Sequence, residues 1–78
     1  MFLEIITPDL KLFSGEVSLI QLPGIDGSFE LLNNHAPIVS VLAKGKIKII
    51  DSEKTKQYFD VNGGVIEMQN NKAIILAE

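Results

Sequence analysis

The single histidine of the chain, His35, lies in the stretch GIDGSFELLNNHAPIV, positions 24 to 39. Around it stand the residue types that chemistry uses: Asp26, Glu30, Ser28 and Ser40. An imidazole among carboxylates can ligate a metal, and one beside a serine can take its proton. One on a loop can instead staple the backbone or meet another protein. Transition-metal sites combine several imidazole or thiolate ligands, and here there is one histidine and no cysteine. No D-x-[DN]-x-[DN]-G calcium loop occurs. Ser14, Ser18, Ser28, Ser40 and Ser52 offer hydroxyls, but none sits in a G-x-S-x-G elbow. A chain of 78 residues also has little room for a closed, water-excluding pocket. Two plain readings of His35 stay open: a loop histidine whose ring nitrogen bonds a backbone carbonyl, or a docking residue.

The elements that must position this loop are strands. Short runs rich in Ile, Val and Leu are cut at regular intervals by TPD, SG, PGIDG, NNHAP, KG, DSEK, NGG and NNK. Each cut holds a residue that tolerates positive φ, fixes φ or bonds its own backbone. This predicts strands over Phe2–Thr7, Leu10–Phe13, Glu16–Leu22, Ser28–Leu32, Ile38–Leu42, Lys46–Asp51, Lys56–Val61, Val65–Gln69 and Ala73–Ala77. In KGKIKII, Ile47 and Ile49 fall on one face and Lys44, Lys46 and Lys48 on the other, as a half-buried strand requires. In EVSLIQL, alternation puts Val17 and Leu19 on one face, Ile20 and Leu22 on the other, which predicts a strand covered on both sides. The fold class is all-β: two small antiparallel sheets packed face to face, or a flattened barrel.

Composition narrows the function. The 46% hydrophobic content must supply the whole core, because no disulfide or thiolate–zinc staple can form. The net charge is −3 and all seven basic residues are lysine, a poor match to the basic clusters and guanidinium contacts of nucleic-acid binders. The start, MFLEIITPDL, lacks a basic region and is broken by Glu4 and Pro8, so it does not read as a signal peptide. The longest charge-free run, Leu31 to Ala43, is too short to span a bilayer. Gly63–Gly64 lies between two strands rather than opening a helix, which fits a bulge or tight turn better than a phosphate cradle. The lysine stripe reads as a solvated outer face. Phe29, Leu31 and Leu32 beside a polar turn point to protein docking at one end of the sandwich.

The order of the motifs is more specific. TPDLKLFSGEV, QLPGIDGSFELLNNHAPIV, KGKIKI and VNGGVIEMQNNKAIILAE follow one another across essentially the whole chain. Together they resemble the N-terminal domain of the epsilon subunit of F-type ATP synthases. That resemblance implies a β-sandwich of about ten short strands, placed on the rotor between the gamma subunit and the membrane c-ring. It implies a subunit that is not itself an enzyme, binds no cofactor or metal, and lies peripherally on the cytoplasmic side of a bacterial membrane. Carried over by the aligned motifs, Thr7, His35 and Ser40 face gamma. The turn Asp26, Gly27 and Ser28, with Phe29 and Glu30 behind it, faces the c-ring.

Three departures accompany the resemblance. Glu30 stands where the family has glycine, adding bulk and charge beside the c-ring turn. Asn33–Asn34 replaces a common Pro-Gly, and Asn34 is suited to hold a left-handed position. The two-helix C-terminal domain of many relatives has no counterpart after Glu78, so the expectation is one domain over residues 1–78 without helical inhibition. Rival readings are a carrier module, which lacks its M-K-M hairpin around Lys72, and a free-standing interaction or sugar-binding sandwich. One tyrosine and no tryptophan make a poor sugar platform.

Overall fold

The computed structural model describes residues 1–78 and contains no helix. Its strands are β1 (Phe2–Ile6), β2 (Lys11–Gly24), β3 (Gly27–Leu32), β4 (Ile38–Leu42), β5 (Gly45–Asp51), β6 (Lys56–Val61), β7 (Gly64–Gln69) and β8 (Lys72–Ala77).

Strand β2 departs from the sequence expectation. The separate strands expected over Leu10–Phe13 and Glu16–Leu22 are one ribbon, because Ser14–Gly15 does not turn. Both residues stay in the ladder, opposite Glu4 and Leu3 of β1. At about 3.3 Å per residue a straight ribbon of this length would reach about 46 Å, whereas the longest dimension of the domain is 26 Å. The ribbon therefore bends, and a bulge marks an irregularity in its path. Val17 pairs with Asp51 and Leu19 with Ile50, which leaves Ser18 without a partner. An unpaired residue resets the alternation. Val17 and Leu19 accordingly do not share a face: Val17, Ile20 and Leu22 are buried together, and Leu19 is half-buried.

The two halves of β2 serve different layers. The first half extends one layer, β2–β1–β8–β7–β4, and the second half builds the other, β3–β2–β5–β6. A single pairing, Gly24 with Leu42, joins the layers at the opposite margin, giving a flattened barrel. Every ladder is antiparallel except β1–β8, which is parallel. The chain begins inside one layer, winds through the other, and returns to lay its last strand beside its first.

Between the layers lies one core containing Leu3, Ile5, Ile20, Leu22, Leu31, Ile47, Ile49, Ile66, Met68 and Ile75, with no polar side chain buried among them. Leu31, expected at a loop edge, is part of this core, while its neighbour Leu32 is exposed. The turns follow local chemistry. Asn70 and Asn71 both take positive φ, 51° and 59°, and close a two-residue hairpin between Gln69 and Lys72. Asn34 holds a left-handed position at φ 64°.

The β5–β6 turn is organised by half-buried Asp51. Its Oδ1 accepts the backbone N–H groups of Glu53 and Thr55 and its Oδ2 the side-chain amide of Gln57, each at 2.9 Å. The Thr55 N–H and then the Gln57 amide hold the carboxyl below its usual 3.8, with burial opposing them and the Glu53 N–H adding least. A carboxyl whose pKa is lower in the folded state contributes stability above its unfolded pKa and loses it as pH falls through the folded value. Melting temperatures of wild type and Asp51→Asn, followed from pH 7 to pH 2, test this. The wild type is expected to be the more stable at neutral pH, with the gap closing below the ordinary carboxylate range. A gap that persists unchanged into acid contradicts it.

Candidate functional site

His35 sits in the β3–β4 loop, exposed, with its backbone N–H donating to the Leu32 carbonyl at 3.1 Å. Its ring turns back on its own loop. Nδ1 and the Ala36 carbonyl oxygen are 2.7 Å apart, and since a carbonyl only accepts, Nδ1 carries a proton in this contact. The loop is tied down around it. The N-terminal ammonium of Met1 donates to Asn33 Oδ1 and, at 2.9 Å, to the Val17 carbonyl. The Asn34 N–H donates to Asn71 Oδ1 at 2.7 Å, fixing the loop to the β7–β8 hairpin. No carboxylate or serine bonds the imidazole, and no three acidic or imidazole side chains converge on a common point. The arrangement presents a shaped, stapled loop.

The β2–β3 turn lies elsewhere. Gly24 pairs with Gly27, leaving Ile25 and Asp26 at the tip, and Gly27 takes φ 128°, a conformation that L side chains avoid. Ser28 and Glu30 are exposed, whereas Phe29 is half-buried and packs on the core. Residues Gly24 to Phe29 form one wall of an open groove, and Val39, Ser40 and Val41 of β4 form the other. Half-buried Ser40 therefore keeps company with the turn expected to face the c-ring. Ile25, 62% exposed at the tip, carries the apolar surface that sequence reading gave to Leu31.

A second surface was not foreseen from sequence. The outer face of the β4–β7–β8–β1 layer is apolar along a register row formed by Val41, Val65, Leu76 and Ile6. The adjacent row reads Val39, Glu67, Ile74 and Glu4. Val39 is 69% exposed, Val41 53% and Leu76 56%. One shallow depression is walled by Val65, Glu67, Ile74 and Leu76, and a second continues from Val65 and Leu76 to Ile6, Thr7 and Pro8. Thr7 is thus on the margin of this face, where its hydroxyl both donates to the Leu10 carbonyl and accepts the Leu10 N–H, each at 3.1 Å.

The structure does not gather Thr7, His35 and Ser40 into one cluster. His35 is at the β7–β8 hairpin end of the layer, and Thr7 follows Ile6 at the other, where β1 runs out beside Leu76. Ser40 lies between them on β4, lining the groove. What links the surfaces is β4, since Val39 and Val41 belong both to the outer face and to the groove. The signal for the outer face was present: IVSVL and KAIILA are apolar at odd and even positions alike, and GVIEMQ puts Val65 on the face opposite Ile66 and Met68, so one core cannot hide all of them.

The model of the family described as ATP synthase, Delta/Epsilon chain, beta-sandwich domain matches residues 1–78. The chain is 42% identical over 76 residues to the ATP synthase epsilon chain of Chlorobium limicola, covering 97% of this chain and 86% of that one. It is 44% identical over 78 residues to the epsilon chain of Maridesulfovibrio salexigens, all of this chain against 54% of its relative. In fold it resembles a chain in the cryo-EM structure of the Euglena gracilis mitochondrial ATP synthase, OSCP/F1/c-ring, with a TM-score of 0.89 at 21% identity. There the match covers 96% of this chain and 48% of the other.

Proposed function

The chain belongs to the β-sandwich family of ATP synthase delta and epsilon chains, and on that premise we propose that it is a non-catalytic central-stalk subunit coupling gamma to the c-ring. The observation that carries this reading is the family match over residues 1–78, together with relatives named as epsilon chains at 40% identity and above. Such a subunit transmits torque through contacts, so its working parts are faces on a stiff body. Two layers sharing β2 and closed by the Gly24–Leu42 pairing supply stiffness.

In this reading the outer face of β4–β7–β8–β1, bounded by Thr7 and His35, seats gamma, with Ser40 at its margin. The turn Asp26–Gly27–Ser28, backed by Phe29 and Glu30, rests on the c-ring. Both surfaces meet along β4, which lets one strand connect the two partners. The subunit is held to the cytoplasmic side of a bacterial membrane through the complex; no helix of the protein is long and apolar enough to cross a bilayer. Affinity purification of the tagged chain from native membranes tests the assignment. Gamma is expected to come with it, and the alpha and beta subunits behind gamma; recovery of the chain alone contradicts the reading.

The two surfaces separate under mutation. His35→Ala removes an exposed ring whose polar contact is with its own loop, so the melting temperature should change little. Affinity for isolated gamma should fall by about 1–2 kcal/mol if the ring is desolvated on docking. Ser28→Trp, at the other surface, should lower proton-driven ATP synthesis in reconstituted vesicles more than it lowers gamma binding. If His35→Ala instead unfolds the free chain while the folded remainder binds gamma normally, the histidine is a structural staple only.

A further inference from the structure

We infer that Glu67 receives one cationic side chain from the subunit that docks on the outer face of β4–β7–β8–β1, and thereby selects which apolar surface can sit there. The inference rests on the docking role proposed for that face. Glu67 is exposed in β7, with Val39 opposite on β4 and Ile74 opposite on β8. With Val65, Ile74 and Leu76 it walls the same depression. The carboxylate therefore stands at the edge of an apolar surface, with Val65, Ile74 and Leu76 on one side and Gln69, Asn70 and Lys72 on the other.

Glu67 makes no ion pair within the fold. The two ion pairs of the protein are Lys11 with Glu4 and Lys46 with Asp60, each at 3.0 Å. Lys72 lines a neighbouring depression with Glu67, Gln69 and Asn70, but its ammonium stands over the Phe2 ring, 5.8 Å from the centroid. Glu4, at the far end of the same register row, is already paired with Lys11. In the free subunit water solvates Glu67. Covering the face removes that water, and an uncompensated buried carboxylate is strongly unfavourable. A wholly apolar partner is thus rejected, and so is one with an acidic group at this point. A partner with one lysine or arginine placed over Glu67 is accepted, which makes the residue a device for specificity as much as for affinity.

The experiment titrates the chain with gamma from the same complex, by calorimetry, at low and at physiological salt. Wild type is expected to bind, Glu67→Gln to bind about tenfold more weakly, and Glu67→Lys at least about a hundredfold more weakly. Melting temperatures of both variants should stay close to wild type, because the side chain makes no ion pair within the fold. One lysine- or arginine-to-glutamate change on gamma should restore binding to Glu67→Lys. If wild type fails to bind gamma, the docking role of the face itself falls. If wild type binds and both Glu67 variants bind equally well, the docking role stands and the part given to Glu67 is wrong. That part is equally wrong if light scattering finds a dimer that Glu67→Lys dissociates while gamma affinity is unchanged.

Discussion

Gly64→Ala is expected to remove a large share of the stability of the chain. Gly64 opens β7 at φ 147°, a conformation that residues with a Cβ rarely adopt. A Cβ built there would lie 2.3 Å from the Leu76 carbonyl oxygen and 3.0 Å from the Ala77 Cα, both backbone atoms of β8. The chain cannot relieve this by turning a side chain aside. Either β8 moves away from β7 or the start of β7 rotates, and both break the ladder that holds Gly64 opposite Ala77. Backbone strain of this kind costs about 1–3 kcal/mol, and forcing backbone apart in a packed fold adds about 1–3 kcal/mol. A domain this small has stability on the order of 5 kcal/mol. At about 4–8 °C per kcal/mol, a combined cost of about 2–6 kcal/mol should lower the melting temperature by roughly 8–48 °C. Gly15→Ala is the control. Its Cβ would meet only the Phe13 ring edge, at 3.4 Å, and its φ is not positive. Thermal melts followed by circular dichroism decide the matter: equal melting temperatures for the two variants refute the steric account.

Leu76→Lys should do the opposite, sparing the fold and weakening assembly. Leu76 is 56% exposed on β8, between Val65 and Ile6, at the point shared by both depressions of the outer face. Removing it opens no cavity, and a lysine stem can lie along the strand surface with its ammonium in water. The melting temperature should shift by no more than a few degrees. Under a docked partner, however, the ammonium loses its water and competes with the partner's cation for Glu67, which walls the same depression. Affinity for gamma should drop roughly a hundredfold, equivalent to about 2.7 kcal/mol. The matching change on the lysine stripe, Ile50→Lys, is not comparable because Ile50 is half-buried. Tyr58→Lys on β6 is: Tyr58 is also exposed, yet lies in the other layer, and its loss should leave gamma binding intact. If the two variants bind gamma equally, the outer face is not the seat.

Strand identity was legible because alternation and turn chemistry are local. KGKIKII places Ile47 and Ile49 in the core as expected, and glycine or asparagine marks Gly27, Asn34 and Asn70–Asn71 where positive φ occurs. What escaped depends on partners distant in sequence. The merging of two expected strands rests on Ser14 and Gly15 staying paired with Glu4 and Leu3 of β1, and the unpaired Ser18 on the register against β5; neither could be read from SG alone. The apolar outer face escaped for a related reason. Val65, Ile74 and Leu76 are dispersed along the chain and become a surface only when β7 and β8 are laid side by side. His35 drew attention by being unique, and the fold uses its ring within a single loop.

The parallel pairing of β1 with β8 also sets the order in which the chain can be completed. Phe2 pairs with Lys72, so about 70 residues must be synthesised before β1 acquires its second neighbour. At ribosomal rates of about 5–20 residues per second this takes roughly 4–14 s. During that interval β2 can cover one edge of β1, as the first hairpin partner to emerge. The other edge, with Leu3 and Ile5 beside it, stays open until the last strand leaves the ribosome. Strand β8 therefore acts as a closing seam, and translation that stalls before Lys72 leaves an apolar strand edge available to any neighbouring nascent chain.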